Sequence, residues 1–125
     1  MSERKLLVEI LRQLLCSIEV IERRSKAIRS PEALLRNDRM LEKLDALCMQ
    51  LIAIGENIKN LEKGMKPSLL LQYPGFDWKS AMGMRDILSH HYFNVNAEIV
   101  FQVCKEEIPK LKTIAKALIE QYRHE

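Results

Sequence analysis

One regular spacing of apolar residues constrains the fold of this chain more than any other feature. Between positions 40 and 61, apolar residues recur at alternating intervals of four and three residues, without a break: Met40, Leu44, Leu47, Leu51, Ile54, Ile58 and Leu61. Such spacing places one apolar stripe along a helix and is typical of helices packed in bundles. We therefore predict a long central helix that ends at Gly64.

The rest of the chain also favours helices. A second apolar stripe runs from Leu7 to Ile21, and no stretch alternates with the period of two that a strand requires. The residues expected to cap or begin helices are Ser2, Ser30, Asp77, Asn96 and Pro109, and Pro74-Gly75 suggests a type II turn. These signals predict an all-α fold in one domain over residues 1–125. Its architecture would be an antiparallel bundle of four principal helices with one or two short ones.

Composition excludes several classes of protein. No apolar run approaches the roughly 20 residues that span a bilayer, so the default expectation is a cytoplasmic location. Three widely spaced cysteines argue against a disulfide framework, and all three are expected to be buried thiols. A metal site is not expected, because the adjacent His90 and His91 would point about 100° apart on a helix. The net charge of +3 permits nucleic-acid binding without indicating it.

The segment MRDILSHHYFNV, residues 84–95, concentrates reactive side chains on a predicted helix that starts at Trp78. In projection, Met84 and Leu88 share the core-facing side with Ala81, Ile87 and His91. Arg85, Asp86 and His90 share the other side. Asp86 and His90 are four residues apart, so the carboxylate can orient the imidazole and favour its charged form. From spacing alone, an ordinary polar helix face explains the pattern as well as a site does.

A resemblance to a known family favours the site. Arg85, His90 and Tyr92 match the pattern R-x4-H-x-Y, which resembles the signature of the HepT-like toxins of the HEPN superfamily. The similarity extends to LIAIGENIKNL with its Gly55-Glu56 pair, to YPGFDWKSAMGMRDILSHHY, and to NAEIVFQVCKEEIPKL. One departure is Asp86, where many family members have asparagine. Its negative charge beside an RNA phosphate would weaken RNA binding.

The resemblance implies a function with named residues. HepT-like proteins are homodimers that cleave RNA without a metal or other cofactor, which assigns catalysis to Arg85 and His90. Glu56 and Asp86 would support them. The family's partner is a minimal nucleotidyltransferase that acts as antitoxin by transferring AMP onto the tyrosine of the motif, here Tyr92. The pair would form a toxin–antitoxin module.

Several alternatives remain open at the level of sequence. The chain could be a non-catalytic helical subunit that binds a nucleotidyltransferase or a nucleotide, or a small structural bundle with no site. Glu56 could be an exposed helix glutamate, and Tyr92 could only cap its helix. A basic series on the last helices, Lys105, Lys112, Lys116 and Arg123, could follow an RNA backbone or form a solvated face.

Overall fold

The computed structural model describes residues 3–89 and 93–123, and in these ranges the regular secondary structure is helical, with no strand. In chain order the elements are α1 (Glu3–Ser25), a 3₁₀ helix (Pro31–Leu35), α2 (Asp38–Gly64), α3 (Leu69–Gln72), α4 (Trp78–Met82), α5 (Met84–Ser89), α6 (Phe93–Gln102), a π-helical segment (Val103–Glu107) and α7 (Ile108–Arg123). The predicted all-α bundle is confirmed. None of these helices is both long enough and apolar enough to cross a membrane.

Three long helical units lie side by side, and α1 runs antiparallel to the other two. Gly64 at the end of α2 packs against Leu7 near the start of α1. Arg4 Nε in α1 donates to the Tyr122 carbonyl oxygen in α7 at 2.8 Å. The third unit consists of α6, the π-helical segment and α7, which follow one another without an intervening loop.

The core consists of the apolar stripes that the spacing predicts. In α1 the buried residues include Leu7, Leu11, Leu14, Ile18 and Ile21, and in α2 they include Leu44, Leu47, Leu51, Ile54, Ile58 and Leu61. Met40, the first residue of the predicted central stripe, is only partly buried against this core. Burial of this continuous apolar surface is the main force that holds the helices together.

Side chains cap the starts of several helices, and two of these caps were predicted from the sequence. Ser30 accepts a hydrogen bond from Ala33 N at 3.3 Å, and Asp77 accepts one from Ser80 N at 3.0 Å, so both are N-caps as predicted. Asn37, which the sequence analysis did not single out, caps α2 by accepting from Met40 N. Ser2 lies outside the described residues.

Two predicted local features are wrong. Asn96 is not an N-cap, because α6 already begins at Phe93 and Asn96 lies inside it. The Pro74-Gly75 turn is not type II, because no glycine in the described ranges has a positive φ. Phe76 N donates to the Tyr73 carbonyl oxygen at 3.3 Å, which closes the turn in a form that needs no left-handed residue.

Pro109 lies at the start of the last helix, as predicted, but no loop separates that helix from the preceding one. Pro109 is the second residue of α7, but the helical backbone continues into it from the π-helical segment. Proline lacks an N–H and would interrupt a regular α-helix. Here Ile108 N donates to the carbonyl oxygen of Val103, five residues back, so the turn widens immediately before the proline.

The prediction that all three cysteines are buried holds fully for one thiol and in part for a second. Cys104 is buried and Cys48 is half-buried, but Cys16 is exposed. Cys16 is two residues from both Leu14 and Ile18, and two residues correspond to about 200° around a helix. It therefore lies opposite the buried stripe of α1, so the expectation of burial was wrong for this residue.

Candidate active site

Gly55 lets the central helix approach the segment that carries the motif. A Cβ atom built on Gly55 would lie 2.5 Å from the backbone oxygen of Ala81 in α4, closer than real Cβ contacts occur. It would also lie 3.6 Å from Met84 Cβ in α5. Only glycine permits this separation between α2 and the α4–α5 segment. The next residue along α2, Glu56, is thereby placed beside the motif.

Glu56 joins two cations into one surface cluster. Its Oε1 accepts a hydrogen bond from Arg85 Nε at 3.3 Å, and its Oε2 pairs with Lys59 Nζ at 3.3 Å. The side chains of Glu56 and Arg85 keep 41% and 60% of their surface exposed, so both remain accessible to a ligand. The arginine is thus held through one edge of its guanidinium while it faces solvent.

The electrostatics of the cluster stabilise the ionised carboxylate. Hydrogen bonding from Lys59, followed by hydrogen bonding from Arg85, lowers the pKa of Glu56 below its usual value of 4.5. The carboxylate is therefore charged throughout the neutral range and keeps its hold on Arg85. Glu56, for which the sequence left open the alternative of an exposed helix glutamate, is partly exposed and contacts both cations. Lys59 is a member of the cluster that sequence reasoning missed.

The helix predicted from Trp78 is divided at Gly83, which separates α4 from α5. The faces nevertheless agree with the projection. Met84 and Leu88 are buried, whereas Arg85 and Asp86 are exposed. Three residues of the motif lie outside the described residues: the catalytic candidate His90, His91 and the modification candidate Tyr92. The contact of Asp86 with His90 and the core-facing position of His91 therefore stay predictions.

Asn96 makes a contact across the motif segment instead of capping a helix. Its Nδ2 donates to the Leu88 carbonyl oxygen at 3.1 Å and so links α6 to the last turn of α5. Its Oδ1 is buried and has no hydrogen-bond partner among residues 3–89 and 93–123. Leu88 and Asn96 flank His90 and Tyr92 in the sequence. The hydrogen bond between Leu88 and Asn96 therefore fixes the distance between α5 and α6.

The predicted basic series does not form a free row. Lys105 Nζ donates to the Ser25 carbonyl oxygen at 2.8 Å and lies 5.8 Å from the Phe101 ring centroid. Lys112 Nζ pairs with Glu22 at 2.7 Å. These two lysines attach the π-helical segment and α7 to α1, so they do not form part of a continuous row of free cations that RNA could follow.

The cluster provides an exposed, oriented guanidinium, which suits binding of a phosphate group. In the part of the chain that is described, no three His, Cys, Asp or Glu residues are grouped as metal ligands would be.

Known proteins with similar sequences are named as ribonucleases. The family model described as ribonuclease HepT-like matches residues 7–118. A provisionally named RNase of Caldanaerobacter subterraneus is 36% identical over 76 residues, which cover 61% of this chain and 64% of that protein. The probable ribonuclease HepT of Thermococcus cleftensis is 36% identical over 67 residues, covering 54% and 57%. The chain thus spans less than two thirds of these curated relatives, and no solved structure matches it. The match over nearly the whole chain shows that it belongs to the HepT-like ribonuclease family.

Proposed function

We propose that this protein is an endoribonuclease that cleaves RNA without a metal ion, with Arg85 and His90 as its catalytic residues. The observation that carries the proposal is the exposed Arg85 guanidinium, held by Glu56 in the family's motif segment. The names of the relatives support an RNA substrate. A cation that is already oriented loses little freedom when it binds phosphate.

The chemistry needs one cation and proton transfer at two oxygens. A base removes the proton from a ribose 2′-OH, and that oxygen attacks the adjacent phosphorus. The bond from phosphorus to the 5′-oxygen then breaks, and an acid protonates the leaving oxygen. The products carry a 2′,3′-cyclic phosphate and a 5′-hydroxyl. Histidine titrates near neutrality and suits either proton transfer, and Arg85 would stabilise the charge on the phosphorane.

Glu56 and Asp86 have supporting roles in this proposal. Glu56 positions Arg85 and never contacts the substrate, because its two oxygens already bind Arg85 and Lys59. Asp86 would orient His90 from one turn away on the same face. As a second anion near the phosphate, Asp86 would also weaken RNA binding, so Asp86→Asn should lower KM.

A symmetric homodimer would complete the site. One chain offers a single motif histidine for two proton transfers, whereas a two-fold axis at the motif segment would bring together two His90 and two Arg85 side chains. Light scattering at micromolar concentration should give twice the mass of the 14.6 kDa chain. A monomer that cleaves RNA at the same concentration would exclude the composite site.

The direct test is cleavage of single-stranded RNA by purified variants. His90→Ala and Arg85→Ala should each abolish cleavage while circular dichroism shows unchanged helicity. His91→Ala is the matched control, since His91 is expected to face away from His90 and its loss should affect packing only. The proposal fails if the Arg85 and His90 variants remain as active as the His91 variant.

We also propose that the protein is the toxin of a cytoplasmic toxin–antitoxin pair, neutralised by a nucleotidyltransferase that transfers AMP from ATP onto Tyr92. The tyrosine oxygen would attack the α-phosphorus of ATP, release pyrophosphate and leave an anionic phosphodiester close in sequence to Arg85. That anion would compete with RNA for the guanidinium. Co-expression with the nucleotidyltransferase should add AMP to a peptide that contains Tyr92. If the partner neutralises Tyr92→Phe as well as the wild type, inhibition works by binding alone.

A further inference from the structure

A basic groove lies between α1 and α7, away from the motif cluster. The groove has a volume of about 350 Å³, and its lining includes four cationic side chains, Arg4, Lys5, Arg12 and Arg123. The only carboxylate among its lining residues, all within the described ranges, is Glu9. The groove therefore carries a net charge of +3, which equals the net charge of the entire chain. The formal charges of the remaining residues therefore sum to zero.

A hydrogen bond between α1 and α7 fixes the position of one of the four cationic side chains. Arg4 Nε donates to the backbone oxygen of Tyr122 at 2.8 Å, which fixes one edge of the guanidinium across the α1–α7 contact. Arg12 and Arg123 are exposed. Neither takes part in an ion pair between the described residues, in contrast to Lys112, which Glu22 neutralises. Exposed cations that have no ion-pair partner in the described part of the chain suit an extended anion rather than a structural role.

We propose that this groove binds the sugar–phosphate backbone of the RNA substrate at a distance from the scission point. This inference rests on the proposed ribonuclease function, because it assigns the groove to the same substrate. Gly64 at the end of α2 packs against Glu3 and Leu7, so the groove begins near that end of α2. Glu56 is eight residues earlier, or about 12 Å along the helix axis. This axial component of the separation is within the length of a single strand of a few nucleotides.

The binding mode predicts a measurable dependence on salt. Each cation that neutralises a phosphate of a single strand contributes about 0.7 to the slope of log affinity against log salt concentration. Removing two such cations should lower the slope by roughly 1.4. Because the affinities of variant and wild type converge at about 1 M salt, the affinity at about 0.1 M salt should fall by roughly 25-fold.

The test compares two doubly neutralised variants of the full chain. One is Arg12→Gln with Arg123→Gln in the groove. The other is Arg36→Gln with Arg39→Gln, which removes the same charge from two exposed arginines on either side of the N-cap of α2. These arginines lie at the end of the α1–α2 pair that is far from the groove. Fluorescence anisotropy would measure binding of a 2′-O-methyl RNA strand, which cannot be cleaved because it lacks the attacking hydroxyl. Circular dichroism would verify that both variants are folded.

The proposal requires the groove variant to lose affinity and salt dependence while the control retains the wild-type slope. Glu9→Gln should shift the affinity in the opposite direction. Equal slopes for the groove and control variants would overturn the proposal. Cleavage of unmodified RNA by the wild-type protein tests the ribonuclease function separately: if RNA is cleaved but the slopes are equal, only the groove assignment fails.

Discussion

Adding one methyl group at Gly55 tests whether close approach of two helices positions the cluster. In Gly55→Ala, the new Cβ would meet the Ala81 backbone oxygen at 2.5 Å. That oxygen belongs to α4 and cannot rotate away as the end of a side chain could. The α4–α5 segment must therefore move outward by roughly 0.5 to 1 Å before the contact becomes acceptable.

Two opposing effects determine the size of the change. Overpacking a close contact costs about 1–3 kcal/mol, while replacing glycine by alanine inside a helix stabilises it by up to about 1 kcal/mol. We expect a net loss of roughly 1–2 kcal/mol in the free energy of unfolding. For a chain of this size, each kcal/mol corresponds to a decrease in Tm of roughly 3–5 °C. The same movement separates Arg85 from Glu56, so RNA cleavage should decrease as well.

Thermal and urea denaturation followed by circular dichroism would measure this loss. Gly75→Ala is the matched control, because its Cβ would meet no atom within 4 Å and its φ is not positive. That variant should be unchanged or stabilised by up to about 1 kcal/mol through a less flexible unfolded chain. If Gly55→Ala proves as stable and as active as Gly75→Ala, the close approach does not position the cluster.

Three further predictions follow from the contacts of individual side chains. The pKa of Glu56 is lowered in the folded protein, so the stability that wild type gains over Glu56→Gln should be constant above pH 4.5 and disappear as the pH falls through the folded value, as denaturation at several pH values would show. Burial raises the pKa of Cys48 to about 11 and that of Cys104 to about 12, so iodoacetamide at pH 8 should modify exposed Cys16 first, as peptide mass spectrometry would detect. Asn96→Ala should lower Tm, because it removes the bond to Leu88, and Asn96→Asp should fail to restore it, because a carboxylate cannot donate to a carbonyl oxygen.

The long helices could be predicted from sequence because their signal is local and repeated. In α1 and α2, each apolar residue is placed by its neighbours three and four positions away, and burial follows from that periodicity. Cys16 was wrongly predicted to be buried because it is close in sequence to the apolar positions of α1. It lies on the opposite side of the helix and is exposed.

The features that sequence could not supply depend on contacts between distant residues. Glu56 and Arg85 are 29 positions apart, and the approach of α2 to α4 at Gly55 brings them together. Asn96 resembles an N-cap in sequence, but its amide binds the Leu88 carbonyl oxygen from inside a helix. The π-helical segment before Pro109 likewise joins two predicted helices that a proline would ordinarily separate.

The central claim is that Arg85 and His90 cleave RNA by attack of the 2′-hydroxyl without a metal ion. The most direct measurement is the chemical nature of the RNA ends that the purified protein produces in the presence of EDTA. We predict 2′,3′-cyclic phosphate and 5′-hydroxyl ends, formed at the same rate with and without EDTA, and no products from Arg85→Ala. Loss of cleavage in EDTA, or ends that carry a 3′-hydroxyl and a 5′-phosphate, would contradict the mechanism.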